Sequence, residues 1–188
     1  MVKITALKEA IKAAFKCVTT RYPIGPPTHV PPGLRGLPQF DESKCTGCGA
    51  CYASCSSGAI SLIDENYTRK IEISYMKCIF CGRCQDICPE EAITLSEKFE
   101  LATKDKSQAL VSIKFKLEKC EKCGAPITTT NQLEKIKKKI LEEINPNIKD
   151  TISQDLPKYL NLCAECRRRL SYTLDTHTRK FYLRKWEK

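Results

Sequence analysis

Two runs of four cysteines constrain this chain more than any other feature. Cys45, Cys48, Cys51 and Cys55 follow the spacing C-x2-C-x2-C-x3-C, and Cys78, Cys81, Cys84 and Cys88 repeat it 33 residues later. The correspondence extends past the cysteines: Lys44 maps onto Lys77, Ala59 onto Ala92, Ile60 onto Ile93 and Leu62 onto Leu95. This is an internal duplication. A tight loop with cysteine at every third position aims three thiolates at one centre, as a [4Fe–4S] cube with four thiolate corners requires. Two complete runs therefore imply two cubes and eight ligands.

In proteins that carry two such cubes, the fourth cysteine of each run ligates the other cube. Cys45, Cys48, Cys51 and Cys88 are thus expected to hold one cluster, and Cys78, Cys81, Cys84 and Cys55 the other. Gly47, Gly49, Ala50 and Gly82 leave room for backbone N–H groups to approach the cluster sulfurs, which tunes the potential. Cys88 is followed by the usual proline, Pro89, whereas Cys55 is followed by Ser56. Between the runs, Ile60–Ile63 and Ile71–Tyr75 read as two short strands joined by a polar turn around Asp64–Asn66.

Thirteen cysteines in 188 residues would also suit a disulfide framework. The opening MVKITALKEAIKAAFK argues otherwise, because lysines break every apolar run and leave no signal-peptide core. No stretch approaches ~18 apolar residues, so no membrane span is expected. Reduced thiols that bind metal are the expectation. The formal charge of +10 counts cysteine as neutral. Two clusters and one zinc, each about −2 with four thiolates, bring the loaded chain to about +4. The remaining positive charge suits a membrane surface or an acidic protein partner better than nucleic acid.

Five segments follow. Residues 1–20 hold an amphipathic helix over 3–18, with Ile4, Leu7, Ile11, Phe15 and Val18 on one face and lysines elsewhere. Such a stripe docks at a membrane interface or on a neighbouring subunit, or it packs on the chain's own core. Cys17 on this helix is a small buried hydrophobe rather than a ligand. Residues 21–40 are a proline-rich arm: six prolines and three glycines fall between 19 and 40. Residues 41–102 carry the duplicated cluster unit.

Residues 103–170 form a second metal unit. Val111, Ile113, Phe115 and Leu117 alternate with polar residues as a half-buried strand, and Asn131 is positioned to cap a helix that ends before Pro146. Cys120 and Cys123 form one C-x2-C knuckle; Cys163 and Cys166 form another, with 39 residues between the two. Four thiolates close a tetrahedral shell, so the site is expected to hold a structural Zn²⁺, with a single rubredoxin-like iron as the alternative. A basic tail, 171–188, interleaves arginine and lysine with Phe181, Tyr182 and Trp186. His29 and His177 stand isolated, and no nucleotide-binding loop is present, so no catalytic residue is expected. The fold class expected is α+β: a pseudo-twofold bacterial-type ferredoxin domain with two [4Fe–4S] clusters, an N-terminal amphipathic helix and a C-terminal zinc-ribbon-like domain.

With these residues in place, the chain resembles the two-cluster polyferredoxin subunit of membrane-bound, energy-converting [NiFe] hydrogenases of the formate hydrogenlyase type. It is more distantly similar to the ferredoxin-like subunit of respiratory complex I. The resemblance rests on Tyr22-Pro23, Leu34-Arg35-Gly36, both cysteine runs with Cys78-Ile-Phe-Cys-Gly-Arg-Cys84, Leu95-Ser96 and Phe99-Glu100-Leu101-Ala102. It covers roughly residues 20–102, and the C-terminal knuckles favour the hydrogenlyase branch. It implies a peripheral electron-transfer subunit on the cytoplasmic side of the cell membrane. The implied partners are hydrogenase small and large subunits, membrane-arm subunits and an upstream donor (a ferredoxin, a formate dehydrogenase module or another reductase). The rival readings are a free soluble ferredoxin and a subunit of a soluble oxidoreductase. A nucleic-acid binder using the C-terminal knuckles and tail is a third class.

Overall fold

The computed structural model describes residues 4–15, 23, 25 and 29–171. Val18, Cys17, the ends of the expected 3–18 helix, His177 and the basic tail lie outside the described residues.

The duplication shapes the sheets. Strands β1 (Pro38–Phe40), β2 (Ile60–Glu65), β3 (Thr68–Ser74) and β4 (Ile93–Leu95) come two from each half of the repeat. β1 pairs with β4 with Phe40 opposite Ile93, and β2 pairs with β3 with Ile73 opposite Ile60. Adding or subtracting the 33-residue offset turns the first pair into the second. Each antiparallel pair thus takes one strand from each half, and neither half could close its sheet alone. The two pairs are tied by Tyr75, whose buried hydroxyl donates to the Pro38 carbonyl at 2.9 Å. Two short helices, α2 (Ala50–Ala53) and α3 (Arg83–Asp86), begin within the two cysteine runs, each after a left-handed glycine, Gly49 or Gly82.

The β2–β3 turn lies one residue later than the Asp64–Asn66 expectation. Asn66 and Tyr67 both take positive φ, the backbone of a type I′ hairpin, whose twist matches that of the flanking strands.

The last stretch of the proline-rich arm is strapped down. The Gly36 N–H donates to Ser96 O at 2.8 Å and the Leu37 N–H to Lys98 O at 2.6 Å. A Cβ on Gly36 would overlap the Ser96 and Lys98 carbonyls, so the Leu34-Arg35-Gly36 word has a steric reason.

β5 (Leu110–Lys119) joins β3 over seven residue pairs, extending the sheet to the order β2-β3-β5-β6, with β6 at Pro126–Thr129. The expected boundary at 102/103 therefore falls just before a strand that is hydrogen-bonded to the cluster unit. Ala109, Ile113 and Phe115 share one buried cluster with Leu37, Ile60, Ile71, Ile73, Tyr75 and Ile93. Cys45, Cys51, Cys55, Cys84 and Cys88 pack against that cluster. Helix α4 (Thr130–Glu143) follows β6 directly; its N-cap is Thr129, not Asn131, because the buried Thr129 hydroxyl accepts the Gln132 N–H. α5 (Lys149–Leu160), absent from the sequence reading, packs on α4, and α6 (Ala164–Arg169) opens on Cys163.

At the other end, α1 (Ile4–Phe15) has no buried residue; Ile4, Leu7, Ile11 and Phe15 are all exposed. Among the described residues no helix is long and apolar enough to cross a membrane.

Candidate metal centres

Each cysteine run folds as a loop that enters a short helix, so that consecutive ligands turn toward one point. Cys45, Cys48 and Cys51 line a small cavity, and the fourth cysteine on its wall is Cys88 of the other run. Phe40, Ile71, Ala92 and Ile93 complete an apolar lining. A second small cavity is lined by Cys78, Cys81 and Cys84 together with Cys55. Pro38, Ile60, Ile73 and Leu95 surround it. The grouping follows from the crossed strands: each run's fourth cysteine precedes a strand that pairs with the other half.

The backbone points donors at these sulfurs. The Ala92 N–H lies 3.2 Å from the Cys88 sulfur, and its repeat counterpart, the Ala59 N–H, serves Cys55. Burial raises Cys45 while the Gly47 N–H opposes it, and burial likewise raises Cys78 against the Phe80 N–H. Burial pushes Cys51 up to about 12 and Cys84 up to about 11. Cys55 is lowered: burial works against it, but Ser57 and the N–H groups of residues 57, 59 and 60 prevail. The Ser57 hydroxyl sits 3.6 Å from its sulfur, beside the Ser56 that replaces proline. Cluster ligands bind as thiolates, so loading releases protons. All-sulfur donor sets in dry pockets fringed by N–H groups fit [4Fe–4S] cores.

The four remaining ligand candidates also converge. The sulfurs of Cys120, Cys123, Cys163 and Cys166 lie within 4.8 Å of one another, and Cys123 and Cys163 stand 3.6 Å apart. Thiolates at about 2.3 Å from a tetrahedral zinc are about 3.8 Å apart. Cys120 and Cys123 occupy the β5–β6 connection, where the Cys120 N–H donates to Ala125 O and Gly124 turns at positive φ. Cys163 and Cys166 sit at the start of α6, where the Cys166 N–H donates to the Cys163 sulfur at 3.4 Å. The Cys163 N–H, 3.3 Å from the Cys120 sulfur, holds that thiol down to about 6. Cys166 is pushed up to about 12 by the hydrogen bonds it shares with Cys123 and Cys163. A group of this kind accepts zinc or a single iron.

Two residues that sequence reasoning missed hold the first loop. Arg69 grips Asp64 with two bonds of 2.8 Å and donates to the Gly47 carbonyl at 3.0 Å. Thr129, fully buried, donates to the Thr46 carbonyl. Neither carries a local signal beyond being a polar residue in a strand. His29, expected as an isolated surface histidine, is exposed.

Residues 44–92 and 77–129 each match the 4Fe-4S dicluster domain. The chain is 37% identical over 132 residues to formate hydrogenlyase subunit 6 of Escherichia coli strain K12, covering 69% of this chain and 72% of that protein. It is also similar to a chain in the structure of the membrane-bound sulfane sulfur reductase, an archaeal respiratory membrane complex. That similarity is 28% identity over 54% of this chain and just over half, 56%, of the other, with a TM-score of 0.37. From its cysteine runs, its dicluster domain and the extent of that identity, the chain belongs to the formate hydrogenlyase subunit 6 family of iron–sulfur electron-transfer proteins.

Proposed function

We propose that this chain relays electrons between protein partners inside a membrane-associated hydrogenase-type complex. Cys45, Cys48, Cys51 and Cys88 would hold one [4Fe–4S] cluster, and Cys78, Cys81, Cys84 and Cys55 the other. When bound, each cluster supplies a one-electron redox couple. The residues of the chain keep both sites dry, fix the thiolates and present N–H groups that offset the charge added on reduction. The observation that carries this reading is the pair of cavities, each walled by three cysteines of one run and the fourth of the other.

The relative's name makes it a subunit of a hydrogenlyase, which supports assembly over a free soluble carrier. The exposed apolar face of α1 supports it too, since such a face in water favours association. The expected partners are hydrogenase small and large subunits, a membrane arm and an upstream one-electron donor, with the chain peripheral on the cytoplasmic side. Mild-detergent purification from native membranes tests the assembly. Recovery with a nickel–iron large subunit and about eight cluster irons per chain is expected. Isolation as a soluble monomer, or four or fewer irons after full reconstitution, would overturn it.

The Cys120/Cys123/Cys163/Cys166 group would bind one structural Zn²⁺ in a zinc-ribbon-like unit. Its four thiolates leave no open position for chemistry. Metal analysis should find one zinc, and a rubredoxin-like iron spectrum would decide for the alternative. Structural zinc contributes ~10–16 kcal/mol in small zinc-binding peptides. Cys163→Ser should therefore melt the segment from Cys120 to α6 while both clusters remain. Hydrogen exchange over residues 120–171 reads the melting, and iron content reads the clusters.

A further inference from the structure

The duplication supplies an internal comparison between the two cluster loops. Thr46 and Gly47 of the first correspond to Ile79 and Phe80 of the second. Thr46 and Gly47 are buried, whereas Ile79 is exposed and Phe80 half-buried. The difference comes from the segment beyond the repeat. A Cβ on Gly47 would come within 2.8 Å of both Phe115 on β5 and Thr129 on β6, so these strands lie directly on the first loop. The same Thr129 hydroxyl that caps α4 donates to the Thr46 carbonyl, and the Arg69 guanidinium takes the next carbonyl, that of Gly47. Lys135 of α4 pairs with Glu90, two residues past Cys88.

These bonds orient peptides. In a planar trans peptide the C=O and the following N–H point in opposite directions. Drawing the Thr46 carbonyl toward Thr129 turns the Gly47 N–H the other way, and that N–H opposes the upward shift of the Cys45 thiol. Arg69 holds the Gly47 carbonyl and so fixes the direction of the Cys48 N–H in the same peptide. Donors to cluster sulfurs favour the more negative, reduced state, so they raise the reduction potential.

We infer that Thr129, supported by Arg69, is a positioning residue through which the C-terminal unit sets the reduction potential of the first-run cluster and leaves the second-run cluster unaffected. This rests on the cysteine assignment proposed above. It makes the two cubes of a near-symmetric duplication unequal, through a bond between residues 83 positions apart.

Thr129→Val tests it, because valine keeps the buried shape, removes the O–H and admits no water. Redox titration of the loaded protein followed by EPR should show the first-run cluster shifted to more negative potential. A tenfold change in its one-electron equilibrium, ~59 mV, is the expected scale, with the second-run cluster unmoved. Thr129→Ser, which keeps the hydroxyl, should restore the wild-type value. Unchanged potentials, or both clusters moving together, would overturn the inference. Should Thr129→Val not fold, Arg69→Lys keeps the charge but loses the fork, and the same selective shift is expected; no shift overturns the inference equally. Wild-type protein lacking two EPR-active clusters would defeat the cysteine assignment and this inference together. Two clusters indifferent to Thr129 would defeat the inference alone.

Discussion

Cys55→Ala is expected to damage the cluster built mainly on Cys78, Cys81 and Cys84, although Cys55 lies in the other run. Its side chain lines the cavity of the second run, among Ile60, Ile73 and Leu95. N–H groups of residues 57, 59 and 60 already hold its sulfur below the ordinary thiol value. Alanine there leaves one corner of the cube without a thiolate, with only the weaker Ser57 hydroxyl nearby. About four of the roughly eight irons should be lost. The EPR signal that survives should be the one sensitive to Cys48→Ala, and Cys88→Ala should give the reciprocal pattern. Loss of the first-run signal from Cys55→Ala would refute the crossed ligation.

The pair Leu7→Asp and Ile11→Asp is expected to release the chain from membranes or from its complex while both clusters stay loaded. α1 carries Ile4, Leu7, Ile11 and Phe15, and none of its twelve residues is buried. Burying one such side chain contributes ~1.5–3 kcal/mol before ordering costs, as an upper value. Losing two therefore weakens association by ~100-fold or more, at ~1.4 kcal/mol per tenfold. Sedimentation with membranes reads the release, and iron content reads the clusters. A doubly substituted chain that remains bound would place the docking surface elsewhere.

How much of this was legible beforehand differs from element to element. The strand over 111–117 and the helix over 131–144 were readable because their apolar residues recur with periods of 2 and 3.6. Structure gives β5 at Leu110–Lys119 and α4 at Thr130–Glu143. β1 was not readable: Pro38–Phe40 is three residues long and starts with proline, and only its pairing to β4 makes it a strand. α5 was missed because Pro157 interrupts its pattern, although the proline sits in the last turn, after the buried Ile152 and Leu156. Thr129 looked like one of four polar residues, Thr128 to Asn131, and only its full burial against the first loop selects it as the cap.

By itself, the sequence marked the cysteines that could carry metal in this protein. Cysteine spacing is a local property, since three residues per step around a tight loop decide where thiolates converge. The duplication, the eight cluster-ligand candidates and the four knuckle cysteines could all be read from it. Only the tertiary structure decided how those loops are held. One strand from each half closes each pair, Gly36 must lie against the Ser96 and Lys98 carbonyls, and Thr129 reaches back to Thr46. These are contacts between residues tens of positions apart. Their partners are chosen by which surfaces remain uncovered once the sheets have formed, and no periodicity along the chain records that choice.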